Sequence, residues 1–187
     1  KGGFKQSLGN QAKKSGGSKP KKEKKIEDPK DRYHDINIEL KQIANELQKV
    51  QDEQDNLVGS DLIANLQRQY NLLNKEIDAT AEKIGIARGE QEELQGKLAS
   101  NGVRFNSDGT IANYAQAWEA ELAHVNNIIN KYNSMTADGQ EKYQETLDNA
   151  KERWNKFKEN INRYDTLITD EIPGLEADIR EALDQQI

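Results

Sequence analysis

The imidazoles of this chain are His34 and His124, and imidazole is the side chain that most often binds metals or transfers protons in proteins. They lie far apart in the sequence, and neither belongs to an HExxH pattern, which places two histidines on one helix face. A metal site needs three or four converging ligands, and the sequence offers no such set. We therefore predict no metal site, no cofactor and no catalytic histidine.

Two Asp-Gly dipeptides, Asp108-Gly109 and Asp138-Gly139, resemble the turn of a calcium-binding loop. In such a loop the glycine takes the sixth position, and oxygen ligands take the first and the twelfth. With Gly109 at the sixth position, the first and twelfth positions hold Arg104 and Ala115, which carry no side-chain oxygen. The second dipeptide lacks a carboxylate at the first position. Both dipeptides are therefore predicted to form turns.

Nucleophilic and acid–base chemistry also lack a sequence basis. The chain has no cysteine, so it has no thiolate nucleophile or thiolate ligand. It has no GxSxG elbow and no phosphate-binding glycine loop. Adjacent carboxylates such as Glu92-Glu93 fall on polar helix faces, where they stay solvated. These patterns favour a non-enzymatic protein without a small-molecule substrate.

The composition indicates helices that bury only a narrow apolar stripe. Of the 187 residues, 34% are hydrophobic and 32% are charged, which is too polar for a thick globular core. No run of about 18 apolar residues is present to span a membrane as a helix. Because the sequence begins with Lys1, we interpret it as a piece of a longer polypeptide.

Charge is segregated between a basic beginning and an acidic remainder. Residues 1–30 combine many lysines with glycine, serine and proline, which predicts a disordered basic linker. A basic arm that contacts nucleic acid or another acidic surface is the alternative. The lysines that would make a weak DNA contact are Lys13, Lys14, Lys21, Lys22, Lys24 and Lys25.

Apolar residues separated by three and four positions predict two helices in residues 31–100. The first helix is expected from about Asp31 to Val58, and Gly59-Ser60-Asp61 would end it and begin the second. A connector this short places the two helices side by side in an antiparallel coiled-coil hairpin. The stripe residues are Tyr33, Ile36, Leu40, Ile43, Leu47, Leu66, Leu73, Ile77, Ile84 and Leu94.

The rest of the chain predicts a small β-hairpin and a second helical hairpin. Alternating residues on both sides of a turn signal predict the β-hairpin at 101–113. Residues 114–187 predict two more long helices, with a kink near Pro173 because proline removes a backbone donor. Their stripe is Trp118, Leu122, Trp154, Phe157, Ile161, Tyr164 and Ile168. The expected fold class is all-α, with about four long helices in antiparallel coiled-coil hairpins.

Three segments resemble a known family. They are DRYHDIN at 31–37, GVRFNSDGTIANY at 102–114, and RYDTL at 163–167 followed by Ile172-Pro173. Together with the coiled-coil pattern, they resemble the coiled-coil region of tail tape-measure proteins, and of related internal virion proteins, of bacteriophages that infect gut bacteria. The resemblance covers roughly residues 30–187.

The resemblance implies a structural protein of the virion. Tape-measure proteins occupy the tail lumen, set the length of the tail tube and leave ahead of the DNA. The implied partners are other copies of the chain and the tube, chaperone and baseplate proteins of the tail. The implied locations are the tail lumen and, during assembly, the bacterial host cytoplasm.

Two other interpretations stay open at the level of sequence. One is a generic coiled-coil scaffold or adaptor that binds a partner helix. The other is a nucleic-acid-associated protein that uses its basic leader.

Overall fold

The computed structural model describes residues 27–187, and these residues fold as helices joined by short connections. The five α-helices are α1 (Pro29–Gln54), α2 (Gly59–Ala99), α3 (Tyr114–Asn133), α4 (Ala137–Thr166) and α5 (Ile172–Gln186). A π-helical turn, Leu167–Glu171, joins α4 to α5. The predicted all-α class is confirmed. The disordered basic linker was predicted over residues 1–30, and residues 1–26, with the lysines of the predicted DNA contact, lie outside the described residues. Pro29 and Lys30 already belong to α1, so the helix begins inside the predicted linker.

The chain divides into two units, residues 1–38 and 39–187. The described part of the first unit contains the beginning of α1, where Ile36 is buried and Tyr33 is half-buried. The second unit contains the rest of α1 and all of the later helices.

Within the second unit, the last turns of α1 lie along the first half of α2 in opposite directions. Asn65 Nδ2 donates to the carbonyl oxygen of Val50 at 2.9 Å, and Arg68 lies 3.7 Å from Glu46. The reversal takes few residues because Gly59 adopts a φ of 62°, a left-handed conformation that glycine tolerates without strain. The arrangement is hairpin-like, and the predicted coiled-coil packing of these two helices is not confirmed.

Helix α5 also packs along α2 and runs antiparallel to it. Arg88 bonds Glu176 at 2.9 Å near the start of α5, and Gln186 Nε2 donates to the carbonyl oxygen of Tyr70 at 3.2 Å near its end. One apolar cluster therefore contains residues of α1, α2 and α5. Its buried members are Leu47, Val50, Leu72, Leu73 and Ala182.

Helices α3 and α4 form the second antiparallel pair. Arg153 of α4 bonds Glu121 near the beginning of α3, and Tyr132 near the end of α3 donates to Gln144 at 3.0 Å. Thr136 caps α4, because its hydroxyl oxygen accepts from the Gly139 amide at 3.2 Å. The aromatic rings of this pair lie close together, with the centroids of Trp118 and Trp154 5.0 Å apart.

The β-hairpin predicted at 101–113 is not confirmed. The described residues contain no strand, and this segment makes a single antiparallel bridge between Phe105 and Ile111. The backbone is tied to neighbouring groups: Val103 N donates to Leu98 O at 3.1 Å, and Asn113 Nδ2 donates to Gly102 O at 2.9 Å. These bonds hold the segment against the end of α2. Only the residues around its turn, Phe105 and Ile111, form a β-bridge.

Pro173, where the sequence predicts a kink, lies just after the π-helical turn. Proline has no amide hydrogen to donate to the preceding helical turn, and a π-turn is one way in which a helix accommodates that loss. In the same stretch the Thr169 hydroxyl donates to the carbonyl oxygen of Asp165 at 2.6 Å. Because α4, the π-turn and α5 follow one another without a gap, helical backbone is continuous from Ala137 to Gln186.

Candidate functional site

The predicted stripe residues take three kinds of position. Those that are buried are Ile36, Leu47, Leu73, Leu94, Phe157, Ile161 and Tyr164. Those that are half-buried are Tyr33, Leu40, Ile43, Ile77, Ile84, Trp118, Leu122, Trp154 and Ile168. Leu66 is exposed. The largest buried cluster brings Leu94 of α2 together with Phe157, Ile161 and Tyr164 of α4.

Tyr164 connects three segments of the chain. Its side chain is fully buried, and its hydroxyl donates to the carbonyl oxygen of Gly109. The same hydroxyl accepts from Gln95 Nε2 at 2.8 Å, and the Phe105 ring lies 5.2 Å away between centroids. The contact fixes the 101–113 loop against α2 and α4. The sequence marked Tyr164 as a stripe residue but gave no sign of this polar role.

Glu121 is a buried carboxylate that holds α3 to α4. Arg153 donates to its two oxygens, Nε to Oε1 at 2.9 Å and an Nη to Oε2 at 2.7 Å. Asn101 Nδ2 is a third donor at 3.3 Å. The hydrogen bond to Glu121 raises the pKa of Arg153, so the guanidinium stays charged. A bidentate pair of this kind fixes orientation as well as distance.

Arg163 joins α2, α4 and the π-helical turn. Two of its nitrogens reach Glu90 on α2 at 2.7 and 2.8 Å, and Nη1 reaches Glu171 at 2.9 Å. Its hydrogen bond to Glu90 raises the pKa of Arg163, so the guanidinium stays charged. Both acids bond the same guanidinium, and the arrangement positions the π-turn against α2.

The pKa values of two ionisable side chains on α2 are shifted near its contact with α5. Burial raises the pKa of Glu76, and the charges of Asp178 and Glu181 raise it further. Burial lowers the pKa of Lys83, although Asp178 and Glu171 act in the opposite direction. The position of Glu76 therefore favours its neutral form more than water does.

A buried amide network sits between α1 and α2. Asn65 is 4% exposed, and its Oδ1 accepts from Gln69 Nε2 at 2.7 Å. Gln69 also donates to Gln54 Oε1 at 2.9 Å. Buried polar groups must be satisfied, so these bonds favour one register of the two helices over others. The apolar pattern gives no sign of this network, because Asn65 lies beside the predicted stripe.

Neither histidine takes part in any such cluster; His34 and His124 are exposed. Among residues 27–187, no group of three or more His, Cys, Asp or Glu is arranged to bind a metal ion. Asp108 is engaged in its own turn, where hydrogen bonds from Thr110 lower its pKa. The helices of this same range include none with the length and apolar character needed to cross a membrane.

Residues 27–187 leave one apolar surface on α2 exposed. Ile63 is 66% exposed, Leu66 45% and Tyr70 49%, although all three continue the stripe that includes buried Leu73. We call these three residues the exposed α2 stripe. It lines a shallow groove with Leu73, Ile187 and the glutamines Gln67, Gln69, Gln185 and Gln186.

No family model, curated protein or solved structure matches this chain.

Proposed function

We propose that the chain is a structural, non-enzymatic coiled-coil segment of a phage tail tape-measure protein. It sets tail length and assists tail assembly and DNA ejection. It acts in the tail lumen of the virion, and in the host cytoplasm while tails are assembled. Its partners are other copies of itself and the tube, chaperone and baseplate proteins.

The length of the helices is the observation that carries the proposal. Helix α2 has 41 residues, and helical backbone is continuous from Ala137 to Gln186. At about 1.5 Å per residue, these stretches reach roughly 60 and 75 Å. A chain built this way converts a number of residues into a physical length, which is the property that a molecular ruler requires.

The fixed contacts between helices also support a mechanical role. The Glu121–Arg153 pair and the Arg163 cluster fix α3, α4 and the π-turn by directional bonds. The interior beneath them is apolar and contains Phe157 and Ile161. In the proposal, these contacts form antiparallel coiled-coil hairpins in the free protein, and the hairpins straighten or repack inside the tube.

Insertion of heptads into α3 and α4 tests whether the length of these helices sets the length of the tail. Residues 123–129 and 145–151 face one another, because Glu121–Arg153 lies on one side of them and Tyr132–Gln144 on the other. Duplicating both segments together leaves these flanking bonds aligned. Variants with increasing numbers of paired duplications would be placed in the phage, and tail lengths would be measured by electron microscopy.

The expected slope depends on the state of the helices in the tail. Packed helices add about 10 Å per duplicated pair, whereas straightened helices add about 21 Å. Duplicating only one of the two segments is the control, because it adds one heptad to one helix and so misaligns the flanking bonds of the pair. A tail length that stays constant across the paired series would refute the ruler.

A generic scaffold or adaptor that binds a partner helix is the second candidate. The exposed α2 stripe favours it, because an apolar stripe with helical spacing is the surface that another amphipathic helix covers. In that case, the duplications would leave tail length unchanged, and changing the stripe would remove the function.

A further inference from the structure

The turn after α2 contains the one asparagine of the sequence that is followed by glycine, Asn101-Gly102. In such a pair the backbone nitrogen of the glycine can attack the side-chain amide of the asparagine, because glycine has no side chain to hinder the approach. This reaction, deamidation, contributes to the thermal lability of asparagine. It needs neither an enzyme nor a cofactor, so its rate depends on how the fold holds the two residues.

The fold holds the Gly102 nitrogen in the C-terminal cap of α2. Gly102 N donates to Ala99 O at 3.0 Å, and Val103 N donates to Leu98 O at 3.1 Å. These two bonds form a Schellman motif, in which the glycine takes a left-handed conformation, and the φ of Gly102 is 86°. The side chains of Val103 and Leu98 are buried in one apolar cluster, which closes the motif. While this cap is closed, the nitrogen that would attack is bonded to Ala99.

Groups outside the cap hold the same turn in place. Asn113 Nδ2 donates to Gly102 O at 2.9 Å, and the Tyr164 hydroxyl donates to a backbone carbonyl farther along the 101–113 loop. The Asn101 side chain is also engaged, since its Nδ2 donates to Glu121 Oε1 at 3.3 Å. Both reacting groups are therefore hydrogen-bonded to other partners while the turn is closed.

We propose that Asn101 is a deamidation site that the closed turn protects and that reacts when the turn opens. The Gly102 nitrogen loses its proton to a solvent base and forms a bond to the side-chain carbon Cγ of Asn101. The bond from Cγ to Nδ2 breaks, and Nδ2 takes a proton from solvent and leaves as ammonia. Water then opens the resulting succinimide ring at either carbonyl, which yields aspartate or isoaspartate. The reaction does not depend on the proposed role in the tail.

Both products prevent the turn from closing as before. Isoaspartate inserts the side-chain methylene into the backbone, so the amides of Gly102 and Val103 no longer reach both of their acceptors in the cap. Aspartate replaces the amide donor that faced Glu121 with a second carboxylate. Arg153 already bonds both oxygens of Glu121, at 2.9 and 2.7 Å, so the two acids would face one guanidinium and repel each other. Opening of the turn therefore leaves a permanent change between α2 and α3.

Peptide mapping of the 187-residue chain by mass spectrometry measures the reaction at Asn101. At mildly alkaline pH, deamidation should be at least about tenfold slower in the folded chain than in the same chain unfolded in urea, because the folded chain reacts only after opening. Equal rates in the folded and unfolded chains would overturn the proposal.

Tyr164→Phe tests whether the closed loop provides the protection. Exchange of the Gly102 amide hydrogen reports opening of the turn, so amide exchange and deamidation should both be faster in this variant. Tyr132→Phe is the matched control, because its hydroxyl bonds Gln144 between α3 and α4, and both rates should stay those of the parent. Deamidation at the parental rate in Tyr164→Phe would overturn the proposal.

Asn101→Asp tests the consequence of the reaction. The amides of the 101–113 loop should exchange several-fold faster in this variant than in the parent, because the new carboxylate faces Glu121. The effect should be smaller in a chain that already carries Glu121→Gln, since the facing charge is then absent. Equal effects in the two backgrounds would overturn the repulsion assigned to Glu121.

Discussion

Tyr164→Phe removes one hydroxyl from the centre of the second unit and should destabilise it measurably. The hydroxyl is fully buried, donates to the Gly109 carbonyl oxygen and accepts from Gln95 Nε2 at 2.8 Å. The ring stays in place in the variant, so packing against Phe105 is kept. The change therefore isolates the two hydrogen bonds.

The expected loss follows from these bonds. Each contributes about 1 kcal/mol, and leaving a buried carbonyl without its donor adds to the cost. We expect the free energy of unfolding to fall by about 2–3 kcal/mol. For a chain of this size, that corresponds to a fall of roughly 5–10 °C in Tm. The 101–113 loop should also exchange its amide hydrogens faster, because its link to α4 is gone.

Urea unfolding followed by tryptophan fluorescence is the appropriate assay, because Trp118 and Trp154 lie in the α3–α4 core. Tyr132→Phe is the matched control. Its hydroxyl donates to Gln144 Oε1 at 3.0 Å in an exposed bond, so the loss should be within about 0.5 kcal/mol. If Tyr164→Phe destabilised the protein no more than Tyr132→Phe does, the assignment of Tyr164 as a buried polar anchor would be wrong.

Three other substitutions test the remaining contacts. Arg153→Met should lower the free energy of unfolding in urea by about 3–5 kcal/mol, because it leaves the buried Glu121 carboxylate without its ionic partner. Adding Glu121→Met should restore most of that loss, and no recovery would contradict the role of the pair. Phe157→Asp, at a side chain that is 1% exposed, should abolish the cooperative thermal transition, and a Tm near that of the parent would contradict its place in the core. The pKa of Glu76 is raised in the folded state above its ordinary 4.5, so the folded state binds more protons than the unfolded state does. Stability therefore falls as the pH rises from about 4.5 through the raised pKa. Glu76→Gln should therefore be more stable than the parent at neutral pH and equally stable below about pH 4. The opposite order of stabilities would show that the direction of the pKa shift is wrong.

The helices were predictable because their signal is local. Apolar residues three and four positions apart define α1, α2, α3 and α4 from the sequence alone. The ends were less certain. The first helix was expected to reach Val58, but it ends at Gln54, where the amides of Asn56 and Leu57 turn back to Glu53 and Gln54. Competing turn hydrogen bonds of this kind decide the last helical residue.

The choice of neighbours was not predictable from periodicity. Helix α2 contacts α1 on one side and α5 on another, so a single stripe does not describe its buried surface. Leu72 and Asn65 are buried beside the predicted stripe, whereas Leu66 is exposed within it. The apolar pattern predicts that one face of a helix is buried. Which helix packs on that face, and over what length, depends on distant parts of the chain.

The polar contacts were beyond sequence reasoning for a related physical reason. Arg163 and Glu90 are 73 positions apart, and each resembles the many other charges on solvated helix faces. Only the packing of α4 on α2 distinguishes this pair from the others. The predicted absence of an active site stays a prediction, as does the role in the phage tail.

Mean tail length across the paired heptad duplications is the most direct test of the central claim, that these helices measure distance. The claim predicts a straight line whose slope is about 10 Å per pair for packed helices, or about 21 Å for straightened ones. Tails of parental length in every member of the series would contradict it.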